Sequence, residues 1–176
     1  ANIPLVLQVE YDLTNKSDNQ GNVDFEVFSN VLEKYNLLTG IKDEQIHMLY
    51  IQNLNDNNKL HVQTFCNNLR GQMNEQRETA TIDLFDRITP KNLDEIPISI
   101  LRTSFAPSNF KFGRYNSNME KQDMFEGLVD LFVCLNVAVK NKNELDLDDF
   151  LYMFDNFSFF FEDVDDYTKF LRVAFK

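Results

Sequence analysis

One pattern returns four times along this chain: a helical stretch, a polar loop, a triplet of apolar-x-apolar, and a second helix opening on a large apolar residue. The triplets are Val23-Asp24-Phe25, Leu60-His61-Val62, Ile96-Pro97-Ile98 and Leu145-Asp146-Leu147, and the openers are Phe28, Phe65, Leu101 and Phe150. In all four the opener stands five residues after the first apolar residue of its triplet. The flanking segments carry helical spacing. Phe25, Phe28, Val31, Leu32 and Tyr35 share one face, as do Ile46, Leu49 and Tyr50, and then Ala80, Ile82, Leu84 and Phe85. Further helices are expected over Phe125 to Val139 and from about Val164 to Phe175. With only 5 Gly and 4 Pro in 176 residues, helices joined by polar loops are favoured over a turn-rich sandwich.

A single helix-loop-helix cannot bury its apolar face, so the four units are expected to pair. The expected fold is all-α: four helix-loop-helix units in two pairs, each pair carrying a short two-strand antiparallel ribbon made from its triplets. The first pair is assigned to 1–75 and the second to 76–176. The second includes a long polar spacer, about 106–122, and a terminal helix.

This register resembles that of the EF-hand superfamily, in which an apolar loop residue pairs with its neighbour in a small ribbon and the exit helix follows. Within the superfamily the chain looks most like calcyphosin and its relatives. The features carrying that likeness are the spacer Ala106 to Gln122, the preceding Leu84-Phe85-Asp86-Arg87, and the acidic stretch Asp163-Val164-Asp165-Asp166-Tyr167. The resemblance implies calcium loops, but calcium requires six to eight oxygens, with a bidentate carboxylate closing the shell.

The first loop keeps Gly21 at the turn and Asp18, Gln20 and Asp24 as candidate ligands, but Lys16 and Val27 stand at the first and last ligand positions. The second offers the uncharged Asn53, Asn55 and Asn57, with Asn58 in place of the turn glycine, Lys59 beside it and Thr64 at the closing position. The third places Thr89, Lys91, Leu93, Pro97 and Ile100 where oxygens belong. The fourth places Ala138, Lys140 and Lys142 there, with Asp146 and Asp149 remaining. Lysines inside a dication site add repulsion close to the ion. No calcium or other cofactor is therefore expected.

A net charge of −11 disfavours nucleic-acid phosphates. The longest apolar run, Leu128 to Val139, is too short for a membrane span and is interrupted by Asp130 and Asn136. Cys66 and Cys134 lie in apolar helical patterns and read as buried thiols of a reducing compartment. An intracellular protein is expected, cytoplasmic, ciliary or cytoskeletal, or mitochondrial if a presequence has been removed. The two histidines, His47 and His61, and the adjacent acidic pairs make no acid/base constellation, so no enzyme is expected.

Two aromatic groups are candidate partner-binding residues. Phe157, Phe159, Phe160 and Phe161 cannot all face one side of a helix, so part of the cluster packs beneath the terminal helix or forms a docking surface. Phe110, Phe112 and Tyr115, beside Lys111 and Arg114, lie in the spacer. The expected function is a calcium-independent, non-enzymatic scaffold that docks a protein partner within a larger assembly. By resemblance, that assembly is cytoskeletal, ciliary or a mitochondrial complex. The competing reading is a calcium-sensing regulator with one residual weak site.

Overall fold

The computed structural model describes residues 5–71, 73–107, 117–140, 143–158 and 160–176, the side chains of 135–140 excepted. It is mostly helical, with two small antiparallel two-strand sheets. The chain divides into two compact units, Leu5–Gly71 and a second within 72–176.

In the first unit the order is α1 (Leu5–Asn15), β1 (Asn22–Val23), α2 (Phe25–Lys34), α3 (Asp43–Gln52), β2 (Leu60–His61) and α4 (Val62–Arg70). Strands β1 and β2 pair antiparallel, Val23 opposite Leu60 and Asn22 opposite His61. The helices after the strands start on side-chain caps, which satisfy amide donors that a first turn leaves open. Asp24 accepts the Val27 N–H at 2.9 Å, and the His61 Nδ1 accepts the Thr64 N–H at 3.4 Å. Helix α4 ends at Gly71, whose φ of +71° a residue with a side chain adopts only under strain.

The core of this unit gathers Val9, Leu13, Val23, Phe28, Val31, Leu32, Ile46, Leu60, Val62, Phe65 and Cys66. The two openers meet edge to face, with ring centroids 5.2 Å apart for Phe28 and Phe65. Alongside them lies an ion pair that composition does not reveal. Arg70, at the end of α4, bonds the Glu10 carboxylate of α1, and their side chains are only 1% and 6% exposed.

The second unit runs α5 (Glu75–Ile88), β3 (Ile96–Pro97), α6 (Ile98–Ser104), α7 (Asn118–Lys140), β4 (Glu144–Leu145), α8 (Leu147–Ser158) and α9 (Val164–Val173). Strands β3 and β4 pair antiparallel, Ile96 opposite Leu145. Its core is aromatic: Phe85, Phe105, Phe125, Phe150, Phe154, Phe157, Tyr167, Phe170 and Phe175 are all buried. Helix α9 lays Tyr167, Phe170 and Leu171 into that core, and the Tyr167 hydroxyl shares a 2.9 Å hydrogen bond with Thr81 of α5. The chain beyond α9 is tied down by its backbone. Ala106 N–H donates to the Ala174 carbonyl at 2.7 Å, and Lys176 N–H to that of Ser104 at 2.8 Å.

Two expectations differ from the structure. The spacer read as running to Gln122 gives way to helix at Asn118. Ser117 accepts the Glu120 N–H at 3.1 Å while the Glu120 carboxylate accepts the Ser117 N–H at 3.0 Å, a reciprocal cap that starts α7 early. Cys66 is buried, but Cys134 is exposed. Phe125, Leu128, Val129 and Phe132 form the buried face of α7, and Cys134 falls on the side opposite. No helix among the described residues is long and apolar enough to cross a membrane.

Removing one partner of a buried ion pair leaves an uncompensated charge. Arg70→Met is therefore expected to cost about 3–5 kcal/mol in a urea melt, and Glu10→Leu added to it to restore most of that loss. A double variant as unstable as the single one would show that the pair's packing, not its charge, matters. The thiols should separate as well. Burial pushes the Cys66 thiol up to about 12, so a native chain should release one fast equivalent in a disulfide-exchange assay, from Cys134, and the second only on unfolding.

Candidate functional site: the paired polar loops

Loop 16–22 enters β1 and loop 53–59 enters β2, so the antiparallel ribbon sets the two loops side by side. Their turns use left-handed backbone at equivalent places. Gly21 has φ +76° and Asn58 φ +56°, asparagine being among the few other residues that tolerate this region. A Cβ on Gly21 would also come within 3.3 Å of the His61 Nε2, so the glycine serves both conformation and close approach.

Asp18 is the hub of the pair. Its Oδ1 accepts the backbone N–H groups of Gln20 and Asn22, both at 2.9 Å, and the Asn22 amide at 3.3 Å. Its Oδ2 accepts from the Lys59 ammonium of the opposite loop at 2.8 Å. A second cross-loop link runs from the Asn55 amide to the Asn22 Oδ1 at 3.0 Å. The Asn55 Oδ1 in turn accepts the N–H groups of Asn57 and Lys59 at 3.0 and 3.1 Å. The ammonium holds the Asp18 carboxyl at about 2, below its ordinary 3.8, with the Asn22 and Gln20 amides adding to the effect. The carboxylate in turn raises the Lys59 ammonium.

The other expected loop ligands have local duties. Asp24 caps α2, and the Asn53 amide donates to the Leu49 carbonyl at 2.8 Å. Gln20 is exposed and meets Asp18 through its backbone. In the second unit Asp146 caps α8, accepting the Asp149 N–H at 2.8 Å, and Asp149 is buried. The loop before β3 is closed by its own contacts. The Thr89 hydroxyl donates to the Phe85 carbonyl, and the Leu93 N–H to that of Pro90 at 2.9 Å. Among the described residues no three His, Cys, Asp or Glu side chains come together as a metal-binding group.

The aromatic candidates do not form one patch. Phe157 is fully buried, with ring neighbours Phe125, Phe154 and Phe170, so it offers no surface to a partner. Phe160 and Phe161 are half-buried, and Phe161 lies 4.9 Å from Phe170 and 5.5 Å from Tyr167 between ring centroids. Phe159, Phe110, Phe112 and Tyr115 lie outside the described residues. The histidines are structural. His47 stacks on Phe25 at 3.8 Å, and His61 caps α4.

Lys59 stood out in the sequence as a positive charge within a polar loop, but nothing there named Asp18 of the other loop as its partner. The ion pair of Glu10 and Arg70 left no sign at all, since sixty residues separate two charges that look like surface groups. No protein-family model matches the chain, and no curated protein matches it.

The folded value of Asp18 lies below the unfolded one, so its contribution to stability is complete above 3.8 and is lost as the pH falls toward about 2. Lys59→Met should move the Asp18 midpoint up toward 3.8 in a carboxyl NMR titration. An unmoved midpoint would assign the low value to the loop amides alone.

Proposed function

We propose that this chain is a calcium-independent, non-enzymatic scaffold of four EF-hand-like helix-loop-helix units in two pairs, docking a protein partner within a larger assembly. The observation carrying this reading is the Lys59 ammonium held 2.8 Å from Asp18. In a loop pair of that kind a carboxylate and its neighbouring oxygens would coordinate a cation. Here the cation is supplied by the chain and tethered to the opposite loop. A calcium ion at the Asp18 Oδ2 would have to displace the Lys59 ammonium, and at the Oδ1 it would compete with three amide donors beside that same charge. The residues of this pair do not fit the metal.

Loss of the metal removes a ligand-driven switch as well as a ligand, because a groove that opens on binding needs differential affinity between two states. A fixed scaffold is the function left to such a pair. Catalysis finds little support, since both histidines are engaged in packing and capping. The likeness to calcyphosin-like proteins favours a cytoskeletal, ciliary or mitochondrial assembly inside the cell.

A thermal melt in chelator, then in millimolar calcium, with magnesium as control, tests the reading. The expected result is the same midpoint in all three. A calcium-specific rise of several degrees would mean a ligand bound to the native state, and would replace the scaffold with a sensor.

A further inference from the structure

Helix α3 is apolar on two sides. Its inward side holds it to the first unit: Ile46 is buried, the Tyr50 hydroxyl donates to the Val23 carbonyl at 3.1 Å, and the His47 ring stacks on Phe25. Its outward side carries Met48, 58% exposed, Ile51, 61% exposed, and Leu49, 36% exposed. Met48 and Ile51 stand three residues apart and so share a face, with Leu49 about 100° round the axis from Met48.

These three side chains are not needed to make the helix. Its start is set by the Gln45 side chain, which accepts the Lys42 N–H at 3.0 Å. Asp43 and Glu44 occupy the first turn, where carboxylates suit the helix dipole. A solvated helix carries polar residues on its outer face, and glutamine or lysine there would serve the fold as well. Single exposed apolar residues are ordinary, but three within one turn of one helix are the mark of an interaction surface.

We propose that the outward face of α3 is a docking surface for an amphipathic helix of a partner polypeptide, its apolar stripe bordered by lysine and arginine. The shape selects a helix. The backbone of α3 is bonded within itself and offers no ladder to an added strand, and a convex helix face encloses no small molecule. Its side chains form ridges at three- and four-residue spacing, into which those of a second helix pack, and Met48 adapts to the shape it meets.

The charge selects the border. At the start of α3 two carboxylates, Asp43 and Glu44, outweigh the Lys42 ammonium, and Asp56 is exposed just past its end. Lys59, beyond Asp56, is held by Asp18. A second copy packed antiparallel would bring the acidic start of each helix to the acidic end of the other, and a parallel copy would set Asp43 and Glu44 against themselves. The whole-chain charge of −11 opposes self-association and anionic lipid in the same sense. A helix with basic residues beside its apolar stripe meets both ends of α3 with opposite charge.

This face gives the docking function a place and a partner chemistry, and it rests on that reading for the partner being a protein. Its test is an NMR titration of the full isotope-labelled chain with two synthetic helical peptides that share one leucine stripe. One is bordered by lysine and arginine, the other by glutamate. Saturating amide shifts centred on Met48, Leu49 and Ile51 are expected with the basic peptide, weakening as salt rises, and none with the acidic one. The double variant Met48→Gln with Ile51→Gln should melt like the parent, since both side chains are exposed, and bind the basic peptide about tenfold or more weakly. Shifts centred elsewhere, equal binding of the two peptides, an affinity unchanged in the variant, or no response at all would overturn the assignment. Sedimentation of the free chain tests the other occupant. A dimer that the double variant turns into a monomer would make the cover a second copy and overturn the basic helix. The calcium melt bears on the scaffold and the peptide titration on this face, so the two can fail separately.

Discussion

A two-residue ribbon is the smallest sheet that can hold two helix-loop-helix segments in register, and everything else in each unit hangs from it. Val23 opposite Leu60, and Ile96 opposite Leu145, fix where the following helices start. Those starts fix where the openers point. Phe28, Phe65, Leu101 and Phe150 are all essentially inaccessible to solvent. Slipping one strand by a single residue would turn these side chains away from the core, which is why so short a ladder can be decisive.

Two polar loops held side by side pose an electrostatic problem, and the side chains of the first unit answer it. Asp18 gathers amide donors from its own loop and a positive charge from the other, while Asn22 and Asn55 join the loops by neutral amides. The arrangement is exposed and so contributes modestly to stability. Its main effect is geometric, since it sets the shape and spacing of the loops. The second unit relies on packing instead, with its aromatic core closed by α9.

The mostly helical fold and the two small sheets were legible in the periodic spacing and the repeated triplets. What escaped the sequence depended on contacts between distant positions. Lys59 was visible as an intruder in its loop, but its partner lies forty-one residues away. Arg70 and Glu10 read as solvent-facing charges because helical patterning carries no sign of a charge turned inward to meet another. The early start of α7 was different. Ser117 and Glu120 are spaced as a helix-start signature, but the polar residues around them drew them into the spacer. Among the phenylalanines after Phe154, the reasoning that one helical face cannot bury them all agrees with the split between fully buried Phe157 and half-buried Phe160 and Phe161.

The anchoring of residues 174–176 against 104–106 bears on how the chain is made. The first unit has all its core residues in hand once Arg70 has left the ribosome, and it can close while synthesis continues. The second cannot. Its aromatic centre stays open until Tyr167, Phe170 and Phe175 arrive, so Phe125, Phe154 and Phe157 spend the interval as a greasy, uncovered surface. During that interval one unit is closed while the other still exposes apolar rings, and the nascent chain is most open to capture by chaperones.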